Sequence, residues 1–185
     1  MKSILITLFL FCACIPSVSA LEHFVSPTPN AKDPCDIAGK VYINGEPAVD
    51  NEDEVAVFVS DDQGGELLVG AACVGTTVSG TYFMHVYAHE KDPNNPGNTP
   101  KNGAKVDEPL IFKVWDKSEN KEYVISDVAM KTESFIGLEI MPVPPVWKES
   151  SPTYGLLNLS TDSPIQKKWG LKDVVHLMKI IAKNQ

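Results

Sequence analysis

The sequence predicts an all-β fold, two packed antiparallel sheets of about seven strands, followed by one C-terminal α-helix. Two observations predict the sheets. Between residues 35 and 141, short runs rich in Val, Ile, Tyr and Phe are separated by clusters of Asn, Asp, Gly and Pro. Within several runs the apolar side chains recur at every second position, which places them on one face of a pleated strand. A third observation predicts the helix: Leu171, Val174, Val175, Met178 and Ile181 recur at spacings of three and four, the period of an apolar helix stripe.

The elements follow in chain order. Lys2 precedes an uncharged run over 4–15, and Val18, Ser19 and Ala20 supply the small residues of a cleavage site, so 1–20 reads as a signal peptide and Leu21 as the first mature residue. The run is shorter than the roughly 18 residues that span a bilayer, so no membrane span is expected in the mature chain. A competing reading makes Cys14 a lipid-anchored terminus, with Ala13 before it and Phe11 where a leucine is usual. Either way the expected location is secreted, periplasmic or at the cell surface. Residues 21–34, with Pro27, Pro29 and Pro34, form a leader that is either strapped to the surface or a flexible linker.

The sandwich domain is expected over 35–141. Val41 and Ile43 alternate with Tyr42 ahead of Asn44-Gly45, a strong signal for a tight hairpin. Val55, Val57 and Val59 share one face with Ala56 and Phe58 on the other, so this strand is apolar on both sides and central. After a turn at 61–65, strands are expected over 67–74, 81–89, 110–115, 122–128 and 135–141. Pro142, Pro144 and Pro145 enforce extended backbone, and 142–170 reads as a proline-containing linker. The helix spans 171–183, with Asp173 in its first turn and Lys179 and Lys183 in its last, as the helix dipole favours. A short helix seldom folds alone, so it packs back on the sandwich or docks on a partner, and Leu171, Val174, Val175, Met178 and Ile181 are its candidate partner-binding residues.

Charge narrows the partners. Lys plus Arg total 16 against 24 carboxylates, a formal net charge of -8, which repels nucleic acid and anionic lipid. Every Lys/Arg position is Lys, so the planar fork that reads phosphates and carboxylates bidentately is missing. Cys12 and Cys14 leave with the signal, and Cys35 and Cys73 remain as an expected disulfide in an oxidising compartment. On the chain-entropy account such a staple contributes roughly 4 kcal/mol.

Two segments carry resemblances. GKVYINGEPA (39–48), DEVAVFV (53–59), LVGAA (68–72), GTYFMHVY (80–87) and LIFKVWD (110–116) together resemble the immunoglobulin-like β-sandwich modules of secreted bacterial surface proteins. The resemblance implies a scaffold without a shared catalytic residue. WGLKDVVHLMKIIA (169–182) resembles the helix of a dockerin repeat, a calcium-loop-and-helix unit that plugs into cohesin partners. Counting back from Asp173 puts the first loop position on Asp162, but Pro164 and Gln166 stand at ligand positions and Lys167 at the turn glycine, so the unit is degenerate.

Candidate sites are few. Asp50, Glu52 and Asp53, with Glu54, crowd one turn, where repulsion is tolerated if water or a cation screens it; they read as a solvated turn or a weak calcium site. The segment 90–108 is too long for a hairpin loop, and such loops are often functional. Within it Asp92, Asn94 and Asn95 could bind a cation or sugar hydroxyls. Trp115, with Tyr87, Tyr123 and Trp147, could form a glycan-stacking platform, unless Trp115 is buried under the helix. His85 and His89 on one strand would stand roughly 13 Å apart, too far to share a metal. No Gly-x-Ser-x-Gly elbow occurs. The reading is a noncatalytic module for protein recognition or assembly, its partner a cell-envelope or secreted protein. The alternatives are a carbohydrate-binding module using loop 90–108 and exposed aromatics, or a hydrolase-associated, weakly calcium-binding docking protein.

Overall fold

Nine strands form in a computed structural model that describes residues 21–29, 34–134, 140–148 and 153–162. In β1 (Cys35–Ile43), Cys35, Ile37, Val41 and Ile43 point inward and alternate with less buried residues. Asn44 and Gly45 turn the chain into the short β2 (Glu46–Pro47). Then come β3 (Glu54–Ser60), β4 (Glu66–Cys73), β5 (Thr81–Val86), β6 (Ile111–Asp116) and β7 (Lys121–Val124). A 3-10 turn (Asp127–Ala129), β8 (Met130–Glu133) and β9 (Thr153–Ser160) follow.

Two sheets result. In the first, β5 and β2 share one edge of β1, β9 lies along the other, and β8 pairs with β9. The second has the order β4-β3-β6-β7 and is antiparallel throughout. Its central β3 is buried on both faces from Glu54 to Val57, as β-branched residues on a doubly covered strand require. Val55, Val57, Val59, Phe112 and Val114 from the second sheet share one apolar cluster with Ile37, Val41, Tyr82, Met84, Leu157 and Leu159 from the first. Each fully buried aliphatic or aromatic side chain contributes about 1.5–3 kcal/mol. Tyr82 donates its hydroxyl to the Leu157 carbonyl at 2.7 Å, satisfying the one polar atom its side chain brings inside; complete burial pushes its phenol well above the ordinary range.

β1 and β9 approach so closely at Gly39 that a Cβ there would meet the Leu157 carbonyl oxygen at 1.9 Å. This contact seats the ninth strand, and it corrects the expected fold in three respects. The first sheet is mixed, because the β1–β9 ladder is parallel, so the domain is an all-β fold of two sheets and not an immunoglobulin-like antiparallel sandwich. The segment 142–170, expected as a linker, contains β9. The expected strand 135–141 lies largely outside the described residues, and Ile140 and Met141 are not in a strand.

No α-helix occurs among the described residues. The expected helix 171–183, its dockerin-like resemblance and Leu171, Val174, Val175, Met178 and Ile181 lie outside them, so the helix is no part of the fold these residues define. Cys35 and Cys73 are both buried and are not joined by a disulfide. They belong to different sheets, Cys35 pairing across to Val86 on β5 and Cys73 to Glu54 on β3. Burial, with the Asp36 charge adding to it, pushes the Cys35 thiol up to about 12.

Candidate functional site

Beyond β5 the chain keeps one more rung of pairing. Tyr87 N–H donates to the Val69 carbonyl at 2.9 Å and Ala88 bridges Ala104 in parallel. His89 N–H donates to Ala104 O at 2.7 Å, and Ala104 N–H to Tyr87 O at 2.9 Å. Gly103 permits this clasp, since a Cβ there would stand 2.1 Å from the Ala88 carbonyl oxygen. Asn102 locks the base of the loop: its Oδ1 accepts from Glu90 N–H at 3.0 Å and lies 2.9 Å from His89 Nδ1, while its Nδ2 donates to Glu90 O at 3.1 Å.

The return limb is fixed by charge. Lys101, its side chain only 4% exposed, pairs with Glu108 and donates to the Ser60 carbonyl at the end of β3. Glu108 also accepts from Lys105 N–H at 2.8 Å. Trp147 donates its N–H to Glu108 O at 2.9 Å and its indole Nε1–H to Val86 O at 3.2 Å. These bonds shape a cleft of about 490 Å³. Buried Ala88, Ala104 and Trp147 form its floor, and His89, Glu90, Lys91, Lys105 and exposed Val106 its rim. Its size lies in the range of ligand pockets. Lys105 is drawn to Asp62 at 2.9 Å, and this bond raises the lysine and lowers the carboxyl relative to their ordinary ranges.

The residues named from sequence are dispersed. Asp92, Asn94 and Asn95 lie in the same loop but outside the cleft lining. Asp92 Oδ1 accepts from Asn94 N–H at 2.8 Å, Asp92 O from Asn95 N–H at 3.1 Å, and Asp92 N–H donates to Thr99 Oγ1 at 2.8 Å. Such closed turns serve the backbone first. Asp50 and Asp53 diverge. Asp50 accepts from Ser79 Oγ–H at 2.5 Å and Gly80 N–H at 2.7 Å, and these bonds hold its carboxyl below the usual range. Asp53, 3% exposed, accepts from Val49 N–H at 2.7 Å and Lys117 N–H at 3.1 Å; burial outweighs these bonds and raises its carboxyl. Glu52 is exposed. Among the described residues no three His, Cys, Asp or Glu side chains are grouped to hold a metal ion. His85 meets Asp36 at 2.6 Å, away from the partners of His89.

Trp115 is buried, at 7% exposure, and so is not a stacking platform. What covers it is the leader. The outer face of the second sheet carries Glu54, Ala56, Phe58 and Trp115, and residues 21–25 lie across it. His23 stacks on Trp115 with ring centroids 4.9 Å apart and planes 7° apart, and Phe24 meets Phe58 edge-on at 5.9 Å. The buried Glu54 carboxylate accepts from three successive backbone N–H groups, Glu22 at 2.5 Å, His23 at 3.2 Å and Phe24 at 2.9 Å. Lys117 reaches Glu22 at 2.9 Å and Glu122 reaches His23 at 3.2 Å. Burial opposes ionisation of Glu122, but hydrogen bonds from Lys113 and His23 hold its carboxyl below the usual range. This cradle escaped the sequence, where Glu54 reads as one more acid in a charged turn and its partners stand some thirty residues earlier.

Comparison of the chain with protein-family models, curated proteins and solved structures gives no match in any of the three. No helix among the described residues is long and apolar enough to cross a membrane.

Proposed function

We propose that this protein is a noncatalytic, exported recognition module that holds a polypeptide segment of a secreted or cell-envelope partner in the cleft beside loop 90–108. The observation that carries this reading is the cleft itself, with an apolar floor of Ala88, Ala104 and Trp147, a rim bearing both signs of charge, and walls fixed by backbone bonds. Pre-organised walls reduce the ordering cost of binding, and a mixed rim around an apolar floor suits a protein segment better than a polyanion. Two of the four titratable rim groups are engaged structurally, His89 with Asn102 and Lys105 with Asp62, which supports recognition over acid–base chemistry at those two positions. Against a glycan platform, the rings of Phe83 and His85 on β5 and of the half-buried Tyr87 just beyond it are not coplanar: Phe83 and His85 stand at 84°, His85 and Tyr87 at 50°.

The test uses Val106, 52% exposed at the cleft mouth. The chain with a photo-crosslinker at 106 is incubated with the native cell-envelope fraction, in parallel with a Lys91→Glu version. One crosslinked polypeptide is expected, weakened at least about tenfold by Lys91→Glu at unchanged melting temperature. No crosslink, or one indifferent to Lys91, overturns the reading.

A further inference from the structure

Glu54 is 1% exposed, yet the partners that reach its carboxylate are amide N–H groups of the leader. No lysine or histidine nitrogen among the described residues lies in ion-pair contact with it, although a buried carboxylate ordinarily has a cation beside it. The nearby basic groups are committed elsewhere: Lys117 from the β6–β7 turn to Glu22, His23 to Glu122 on β7, and Lys113 to Glu66 and Glu122.

We infer that the missing cation is the α-ammonium group created at Leu21 when the leader is cut after Ala20, so that processing completes the Glu54 cradle and latches the strap. This rests on the export reading, which places the cut there. The distance follows from covalent geometry. Glu22 N lies 2.5 Å from Glu54 Oε1, and consecutive backbone nitrogens are three bonds apart, so the Leu21 nitrogen is within about 6 Å of that oxygen whatever the torsions. An opposite charge at that range holds an amine protonated. Successive N–H groups already converge on the carboxylate, and a terminal ammonium adds charge to the same concave array. Before cutting, the nitrogen is a neutral amide and Glu54 has only dipoles around it.

Four exported chains test this: the parent, a version with Gly-Ser inserted between Ala20 and Leu21, and each combined with Glu54→Gln. The insertion keeps every strap residue and moves the ammonium two residues away. The parent is expected to melt at least about 2 °C above the insertion chain, and Glu54→Gln is expected to abolish that difference. The parent α-amine, followed by NMR after reductive methylation, is expected to titrate above its ordinary value of about 7.7–8.0 and to return to it in the other three chains. Because the folded-state amine is raised, the melting difference is full below that ordinary value and is lost as pH rises through the raised one. Equal melting of parent and insertion chains, or an α-amine in the ordinary range, overturns the latch. So does a Glu54→Gln loss of equal size in both backgrounds, which marks Glu54 as a cap for backbone N–H groups alone. Intact mass separates the two claims: a recovered chain that does not begin at Leu21 overturns the export reading and the latch with it, whereas correct processing without the coupling overturns the latch alone.

Discussion

At the scale of single residues, two buried polar groups define where this interior tolerates no loss. The Tyr82 hydroxyl is the donor that reaches the Leu157 carbonyl from the opposite side of the first sheet's central strand. Tyr82→Phe keeps the ring and removes the donor, so the expected outcome is a loss of about 1–2 kcal/mol in urea unfolding with an unchanged slope. Lys101 and Glu108 are the other case, a nearly enclosed ion pair that ties loop 90–108 to the end of β3. Neither arrangement was legible in the sequence. Tyr82 reads as one more aromatic in an alternating strand, and Lys101 as one more charge in a polar loop. Alternation tells which way a side chain points, whereas its partner is chosen by the pairing of strands distant in the chain.

At the scale of elements, legibility followed β-branched content. The runs around Val55–Val59 and 110–116 announced themselves, the first because Val recurs at every second position and the second because Ile111, Phe112, Val114 and Trp115 concentrate strand-favouring side chains, and both stand in the centre of the second sheet. β9 was passed over although Leu157 and Leu159 alternate with Asn158 and Ser160. Pro152 before it and Gly155 within it signal a break, and local propensity yields to tertiary pairing when a strand can be buried between two others. The pairing depends on Gly39. Gly39→Ala would drive a Cβ into the Leu157 carbonyl, and the expected outcome is a loss of at least about 3 kcal/mol, or failure to fold, measured by chemical denaturation. The leader shows the same principle in reverse. Its prolines left strap and flexible linker equally open, and the docked geometry comes from Glu54, Trp115 and Phe58, which no local pattern connects to it.

At the scale of the whole molecule, the two sheets divide the labour. The first supplies β5, whose continuation through Ala88 and His89 walls the cleft; the second carries the leader on its outer face. Of the candidate site, the loop was legible from its length and its lack of period, and the cleft was not, because Trp147 arrives from a proline-rich stretch far along the chain. In the acidic turn Asp50 and Asp53 face separate backbone N–H groups, whereas Glu52 is exposed.

The two sealed thiols give the molecule a built-in recorder of its own opening. Cys35, enclosed and held in its unreactive protonated form, is expected to resist an alkylating reagent for as long as the sheets stay closed. Labelling at that sulfur would then advance only as fast as the whole barrier to unfolding is crossed, a clock that mass spectrometry can read with no dye or tag. Rapid modification under native conditions would show that the first sheet breathes locally at its leading strand.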